Sequence, residues 1–197
     1  MTHTSRFIPA LALLAILSAP SWAAPVEVVG IPNFRQVNDR VFRGAQPSDE
    51  AWPGLAKLGV RTVVDLRRAS EHSLAAESLA VAAAGMRYVS FPMNGFETPQ
   101  ADQMAKVVEI LSSDAPIFVH CKLGKDRTGT VIAAYRIAHE GWENEKALDE
   151  ALTCGMHWYS GGMKRFISGY QATPRPVAGP TAAAPAEPLA EPAATSR

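Results

Sequence analysis

The chain has no net charge: its 197 residues carry nineteen basic and nineteen acidic side chains. With no overall field, nothing steers it to nucleic acid or to an anionic membrane, so any positive potential must be local. Cysteine is scarce, two residues in all, which permits at most one disulfide. His72, His139 and His157 lack the mutual spacing of a metal site, so no metal and no other cofactor is implied. No internal repeat is visible. The longest apolar run near the start, Phe7 to Leu17, is too short to span a bilayer stably. From about Ala172 aromatic and branched apolar residues nearly vanish, and Pro and Ala dominate. Such a segment cannot bury enough surface to offset its ordering entropy, so residues 172–197 are expected to form a disordered tail.

The short apolar run has another use. Arg6 precedes it, and Ser21-Trp22-Ala23 follows with a small-x-small pattern. This predicts a secretory signal peptide over residues 1–23, removed to leave Ala24-Pro25 at the new N-terminus. An uncleaved anchor is the alternative. The protein is therefore expected to be periplasmic or secreted, with no stable membrane span after cleavage. In an oxidising compartment a Cys121–Cys154 disulfide could form and silence the thiol of Cys121. Otherwise Cys154 is a small packed residue.

Between these ends, strand and helix patterns alternate over residues 24–171. Gln36–Val37 and Val41–Phe42 predict short strands around an Asn38-Asp39 turn. Ser48 should cap a helix over Asp49–Leu58, with Gly59 beyond its end. Arg61–Leu66 reads as a buried strand, Ser70 as the cap of a helix to Ala84, and Arg87–Phe91 as the next strand. Thr98 and Pro99 should open a helix in which Met104, Val107, Val108 and Leu111 share a face. Helices near Asn144–Thr153 and Gly161–Ser168 complete the set. The alternation predicts a single α/β domain with a central, mostly parallel sheet and helices on both faces.

The chemistry concentrates in residues 120–129, His-Cys-Lys-Leu-Gly-Lys-Asp-Arg-Thr-Gly. A strand-like stretch (Pro116 to Val119) precedes them and a helix-forming stretch, Thr130 to His139, follows. The run should therefore be a loop beyond a strand's carboxyl end, its N–H groups converging at a helix N-terminus, where anions bind. The field that attracts phosphate there also stabilises a thiolate, which makes Cys121 a candidate nucleophile.

These residues match His-Cys-x-x-Gly-x-x-Arg-Ser/Thr, the signature of the cysteine-dependent phosphatase superfamily, at His120, Cys121, Gly124, Arg127 and Thr128. Upstream, Asn33-Phe34-Arg35-Gln36-Val37, Val41-Phe42-Arg43-Gly44-Ala45-Gln46-Pro47 and Thr62-Val63-Val64-Asp65-Leu66-Arg67 occur in the order found in small atypical dual-specificity phosphatases of bacteria, fungi and plants. The chain resembles these over about residues 31–170. The resemblance implies that Cys121 attacks phosphorus and carries a phosphocysteine. It implies that Arg127 grips two phosphate oxygens and that the N–H groups of Lys122, Leu123, Gly124, Lys125, Asp126 and Arg127 bind the others. Thr128 would donate to the Cys121 sulfur, and His120 would orient the loop through a backbone hydrogen bond.

For the proton donor two candidates stand: Asp126 inside the signature, and Glu97 on the loop after the Arg87–Phe91 strand. Asp102 reads instead as a first-turn helix acid. Asp65 and Arg67 read as a structural pair, though Arg67 could line the pocket rim. Trp158 and Tyr159 could border the pocket, and Lys164 and Arg165 read as a solvated helix face. The implied partners are phosphorylated proteins or polyphosphorylated small molecules such as inositol phosphates; Lys122 and Lys125 could each meet an extra phosphate. A rhodanese-like sulfurtransferase also uses a loop cysteine, but His120 and the Gly-x-x-Arg-Thr ending disfavour it. A phosphate-binding protein without turnover is the non-enzymatic alternative.

Overall fold

A computed structural model describes residues 27–172. The expected signal peptide and residues 173–197 of the expected tail lie outside the described residues, so neither expectation is tested. No helix among the described residues is long and apolar enough to cross a membrane.

Five strands form one sheet: β1 (Arg35–Gln36), β2 (Val41–Gly44), β3 (Thr62–Asp65), β4 (Arg87–Ser90) and β5 (Ile117–His120). Their order is β1-β2-β5-β3-β4, and only β1 runs antiparallel to its neighbour. The central strands alternate by residue between two cores, as a pleated strand buried on both faces must. Val41, Val64, Ile117 and Val119 face one core, with Met104, Val107, Val131 and Ile132. Phe42, Val63 and Phe118 face the other, with Trp52, Leu55, Val81 and Met86. Phe118 is fully buried; full burial of such a side chain contributes roughly 1.5–3 kcal/mol.

Helices α1 (Trp52–Lys57) and α2 (Leu74–Ala83) supply the second core, and α3 (Ala101–Leu111) and α4 (Asp126–Glu140) the first. Helices α5 (Asn144–Thr153) and α6 (Gly161–Gly169) pack on α4 through Ala133, Ala147, Ala151, Met156, Met163 and Ile167. Covered on both sides, α4 is buried continuously from Arg127 to Arg136.

Several boundaries differ from expectation. Residues Asp49–Ala51 form a 3-10 turn leading into α1, and Ser48 makes no capping hydrogen bond. Helix α3 begins at Ala101, two residues after Pro99. Ser70 caps nothing: Ala69–Glu71 close a 3-10 turn, held by the Glu71 carboxylate accepting from the Arg68 N–H at 2.9 Å. The cap of α2 is Ser73, whose side chain accepts from the Ala76 N–H. Helix α4 begins at Asp126, four residues before Thr130. Thus Arg127 belongs to its first turn. Cys154 is the C-cap residue of α5, and both cysteines are buried and free.

Candidate active site

Strand β5 delivers His120 to the sheet's carboxyl edge, and residues 121–125 turn directly into α4. No backbone N–H from Lys122 to Arg127 forms a hydrogen bond among the described residues. Six donors at one helix N-terminus are thereby available to an anion. Cys121 lies at the base of a cavity of about 230 Å³, which Lys122, Leu123, Asp126 and Arg127 also line. The wall is completed by Arg68, Glu71, Gly95, Phe96 and Tyr159.

The loop's shape is imposed from below. Gly124 has φ +66°, and a Cβ there would come within 2.3 Å of the Gly44 backbone, so only glycine fits against the end of β2. Its carbonyl accepts from Arg43 Nη2 at 2.7 Å and from Asn33 Nδ2 at 2.9 Å. Asn33 donates also to the Cys154 carbonyl and is itself left-handed, with φ 54°. These bonds turn the Gly124 carbonyl away from the cavity. Arg43 is 1% exposed, and its Nε and Nη1 find no partner among the described residues. Burial pushes its guanidinium below the ordinary value, while Cys154, Glu150 and Cys121 act the other way. A buried cation beneath the loop adds to the field that favours thiolate and phosphate.

Arg127 is held by Glu71, a residue the sequence reading did not single out. Nη1 and Nη2 donate to the two carboxylate oxygens at 2.7 and 2.9 Å, and Nη1 also reaches the Leu66 carbonyl at 3.3 Å. Counting donors, Nε–H and one Nη2–H remain for a phosphate, the side-on fork suited to two oxygens. Arg127 raises no barrier to this: burial works against its charge, but Glu71 and Cys121 hold it above its ordinary value. The Arg127 hydrogen bonds lower Glu71 from 4.5 to about 2 despite partial burial. This depressed carboxyl contributes stability that is present above about pH 4.5 and lost as pH falls through about 2. Glu71→Gln should cost about tenfold in kcat/KM on an aryl phosphate, since an amide accepts only one of the two bonds. Steady-state rates check this, and an unchanged KM and kcat would refute the brace.

Behind the loop sits a buried charge cluster. Arg67 donates from Nε and Nη2 to Asp65 at 2.9 and 2.8 Å, and from Nη2 also to Glu77. Tyr88 donates to Asp65 at 2.8 Å. Arg67 is therefore a structural partner of Asp65, fully buried and away from the rim. Asp65, His72 and Glu77 place ligand atoms within 4.8 Å of one another. Because Arg67 already bonds both carboxylates, the group is an ion-pair cluster. His120 is fully buried, with Nε2 2.9 Å from Glu77 Oε1 in a poorly aligned contact and its ring stacked on Phe118. Neither ring nitrogen makes a hydrogen bond among the described residues, so the implied bond from His120 to the loop backbone is not seen. Thr128 Oγ1 is buried, with no hydrogen-bond partner among the described residues; it makes no bond to the Cys121 sulfur in this geometry.

Of the two candidate acids, Asp126 lines the cavity and Glu97 does not, although its neighbours Gly95 and Phe96 do. Asp126 accepts from the Ser160 hydroxyl at 2.5 Å, the His157 N–H at 2.8 Å and His157 Nδ1 at 2.7 Å. Burial alone would raise its pKa, but these donors bring it below the ordinary value. Lys122 lines the cavity, whereas Lys125 lies with its stem against Gly155. Lys164 donates to the Trp158 carbonyl. Asp102 is exposed in the first turn of α3.

Comparison with known proteins agrees with this geometry. Residues 25–164 match the family model described as DSP-PTPase phosphatase fused to NAD+ kinase. The dual specificity protein phosphatase TpbA of Pseudomonas aeruginosa (strain UCBPP-PA14) is 28% identical over 134 residues, 67% of this chain and 58% of that protein. The chain thus spans about three fifths of that relative's length. Inositol diphosphatase DSP5 of Arabidopsis thaliana is 27% identical over 71% of this chain and 70% of its own. A crystal structure of P. aeruginosa TpbA superposes with a TM-score of 0.64 at 25% identity, over 78% of this chain and 92% of that one. With the signature loop, its arginine and the mostly parallel sheet in place, the chain belongs to the DSP-PTPase family of cysteine-dependent phosphatases.

Proposed function

We propose that this protein is an exported phosphomonoesterase that uses a phosphocysteine intermediate and acts as a dual-specificity protein phosphatase. In the first step the Cys121 thiolate forms an S–P bond as the P–O ester bond breaks, and the leaving oxygen takes a proton. In the second, water forms a P–O bond as the S–P bond breaks, giving inorganic phosphate and the free thiolate, and water's proton returns to the group that protonated the leaving oxygen. The free N–H groups and Arg127 carry the phosphoryl charge through both steps. Export rests on the N-terminal run alone.

The observation that carries the substrate class is the cavity wall. Phe96, Leu123 and Tyr159 give it exposed apolar surface, which suits a side chain of a protein better than a polyhydroxylated ring. The second reading, an inositol phosphate phosphatase, is favoured by Lys122 and Arg68 on the same wall and by the likeness to the Arabidopsis inositol diphosphatase. The placement of Lys125 weakens it. Rates on a phosphotyrosyl peptide against inositol hexakisphosphate separate the two. A preference of about a hundredfold for the latter would overturn the protein-phosphatase assignment.

Both carboxylates on the wall are already engaged: Glu71 by Arg127, and Asp126 by the His157 N–H, His157 Nδ1 and the Ser160 hydroxyl. That leaves Glu97, beside the wall residue Phe96, as the proposed proton donor. Glu97→Gln should lower kcat about 10²-fold on an alkyl phosphate and much less on a nitrophenyl ester, whose leaving group scarcely needs a proton. Equal losses on both esters would rule Glu97 out.

A further inference from the structure

Large apolar side chains are exposed at only a few described positions, and four of them, Phe96, Leu123, Trp158 and Tyr159, lie at or beside the cavity mouth. Two belong to the segment 157–160 between α5 and α6, which has no regular structure of its own. A short connection of this kind would ordinarily move among conformations. Here it is tied at both ends to one carboxylate.

The tie is Asp126, in the first turn of α4. Its Oδ1 accepts from the His157 backbone N–H and from the Ser160 hydroxyl, and its Oδ2 faces His157 Nδ1. Because a carboxylate only accepts, Nδ1 carries the proton. The imidazole so held stacks on Tyr159, with centroids 4.8 Å apart and planes 15° from parallel. Trp158 meets the Tyr159 ring edge-on at 5.7 Å, and its carbonyl accepts from Lys164. A chain of contacts therefore runs from the phosphate loop through Asp126 and His157 to the Tyr159 ring on the cavity wall. Three hydrogen bonds to an ionised carboxylate are more than a proton donor needs. They are what a fixed turn needs.

We propose that Asp126, His157 and Ser160 form a clasp that holds Tyr159 as the specificity-determining wall of the cavity, giving preference to phosphate esters of flat aromatic alcohols. Asp126 and His157 are then positioning residues, acting through Tyr159. The ring would lie along the face of an aryl leaving group while the phosphate sits on the 121–127 loop. An aliphatic phosphate ester fills the same cradle but leaves the Tyr159 face uncovered. The proposal deepens the phosphatase reading and rests on it for the rates, though not for binding.

The test uses full-length protein, paired phosphotyrosyl and phosphoseryl peptides of one sequence, and inorganic phosphate as a probe of the cradle alone. Tyr159→Ala should raise KM for the phosphotyrosyl peptide about tenfold, the scale of one aromatic contact, and move the inhibition constant of inorganic phosphate less than about twofold. Tyr159→Phe should recover most of the lost KM, since the ring and not the hydroxyl forms the wall. Ser160→Ala and Asp126→Asn, the second of which sets an amide N–H against a His157 donor, should reproduce the KM shift. Both should also change Trp158 emission while leaving the dependence of kcat on leaving-group pKa as in the parent. If Asp126→Asn instead spares KM and steepens that dependence, Asp126 is an acid and the clasp is refuted. An unmoved KM in Tyr159→Ala refutes the wall. Peptide affinities of Cys121→Ser keep the two readings apart: a phosphotyrosyl preference that vanishes with Tyr159→Ala supports the wall even if the parent turned over no ester, an outcome that would sink only the phosphatase reading.

Discussion

Cys121→Ser should lower kcat on a nitrophenyl phosphate by on the order of 10⁴-fold or more, to the level of background hydrolysis. The loop offers a thiolate what it cannot offer an alcohol. Cys121 sits 3% exposed at the base of the cavity, with the Arg127 guanidinium, the Arg43 cation and the loop N–H groups arranged around it. A sulfur nucleophile is also the better leaving group when water opens the phosphocysteine. An alcohol is a much weaker acid than a thiol, and no base among the described residues stands in hydrogen-bond contact with this position to take a serine proton. Phosphate binding should survive, because the N–H donors and Arg127 are untouched. Initial rates alongside calorimetric titration with inorganic phosphate measure both. A residual rate above about 1% of the parent would contradict a covalent route through this sulfur.

Arg127→Lys should cost on the order of 10³-fold in kcat/KM, with more of the loss in kcat than in KM. Lysine keeps the charge, so the charge is not the point. Arg127 serves two anions at once: Nη1 and Nη2 engage Glu71, leaving Nε and the remaining Nη2 proton for the phosphoryl oxygens. An ammonium has no planar fork and would be drawn to the Glu71 carboxylate, which Arg127 engages in the parent. The double variant Arg127→Lys with Glu71→Gln tests the reasoning, because removing the competing carboxylate should return part of the activity. If the double variant is no better than the single one, competition by Glu71 is not the cause.

Much of the architecture was legible in the chain because it rests on local pattern. The consecutive apolar residues Val63-Val64 and Ile117-Phe118-Val119 marked strands, and the helix-period face of Met104, Val107, Val108 and Leu111 marked α3. The dense spacing from His120 to Thr128 marked the loop. What failed to show was anything depending on partners far along the chain. Ser70 reads as a cap, but Ala69–Glu71 form a 3-10 turn in which Glu71 accepts from the Arg68 N–H and pairs with the distant Arg127, and α2 is capped by Ser73. Asn33 and Arg43 were visible as resemblances without a task. Their task, holding the Gly124 carbonyl, spans 91 and 81 residues.

Sequence alone picked out the candidate nucleophile Cys121, its companion Arg127 and the loop that joins them. These lie within seven residues, where backbone geometry leaves the chain little choice. Tertiary structure decided what surrounds them: Glu71 as the brace of Arg127, the Asp65–Arg67–Glu77 cluster behind His120, and Asp126 turned toward His157 and Ser160. A carboxylate's role is set by which donors reach it, and those donors arrive from other elements. Asp126 is a candidate acid in the sequence, and in the fold its carboxylate meets the donors of His157 and Ser160.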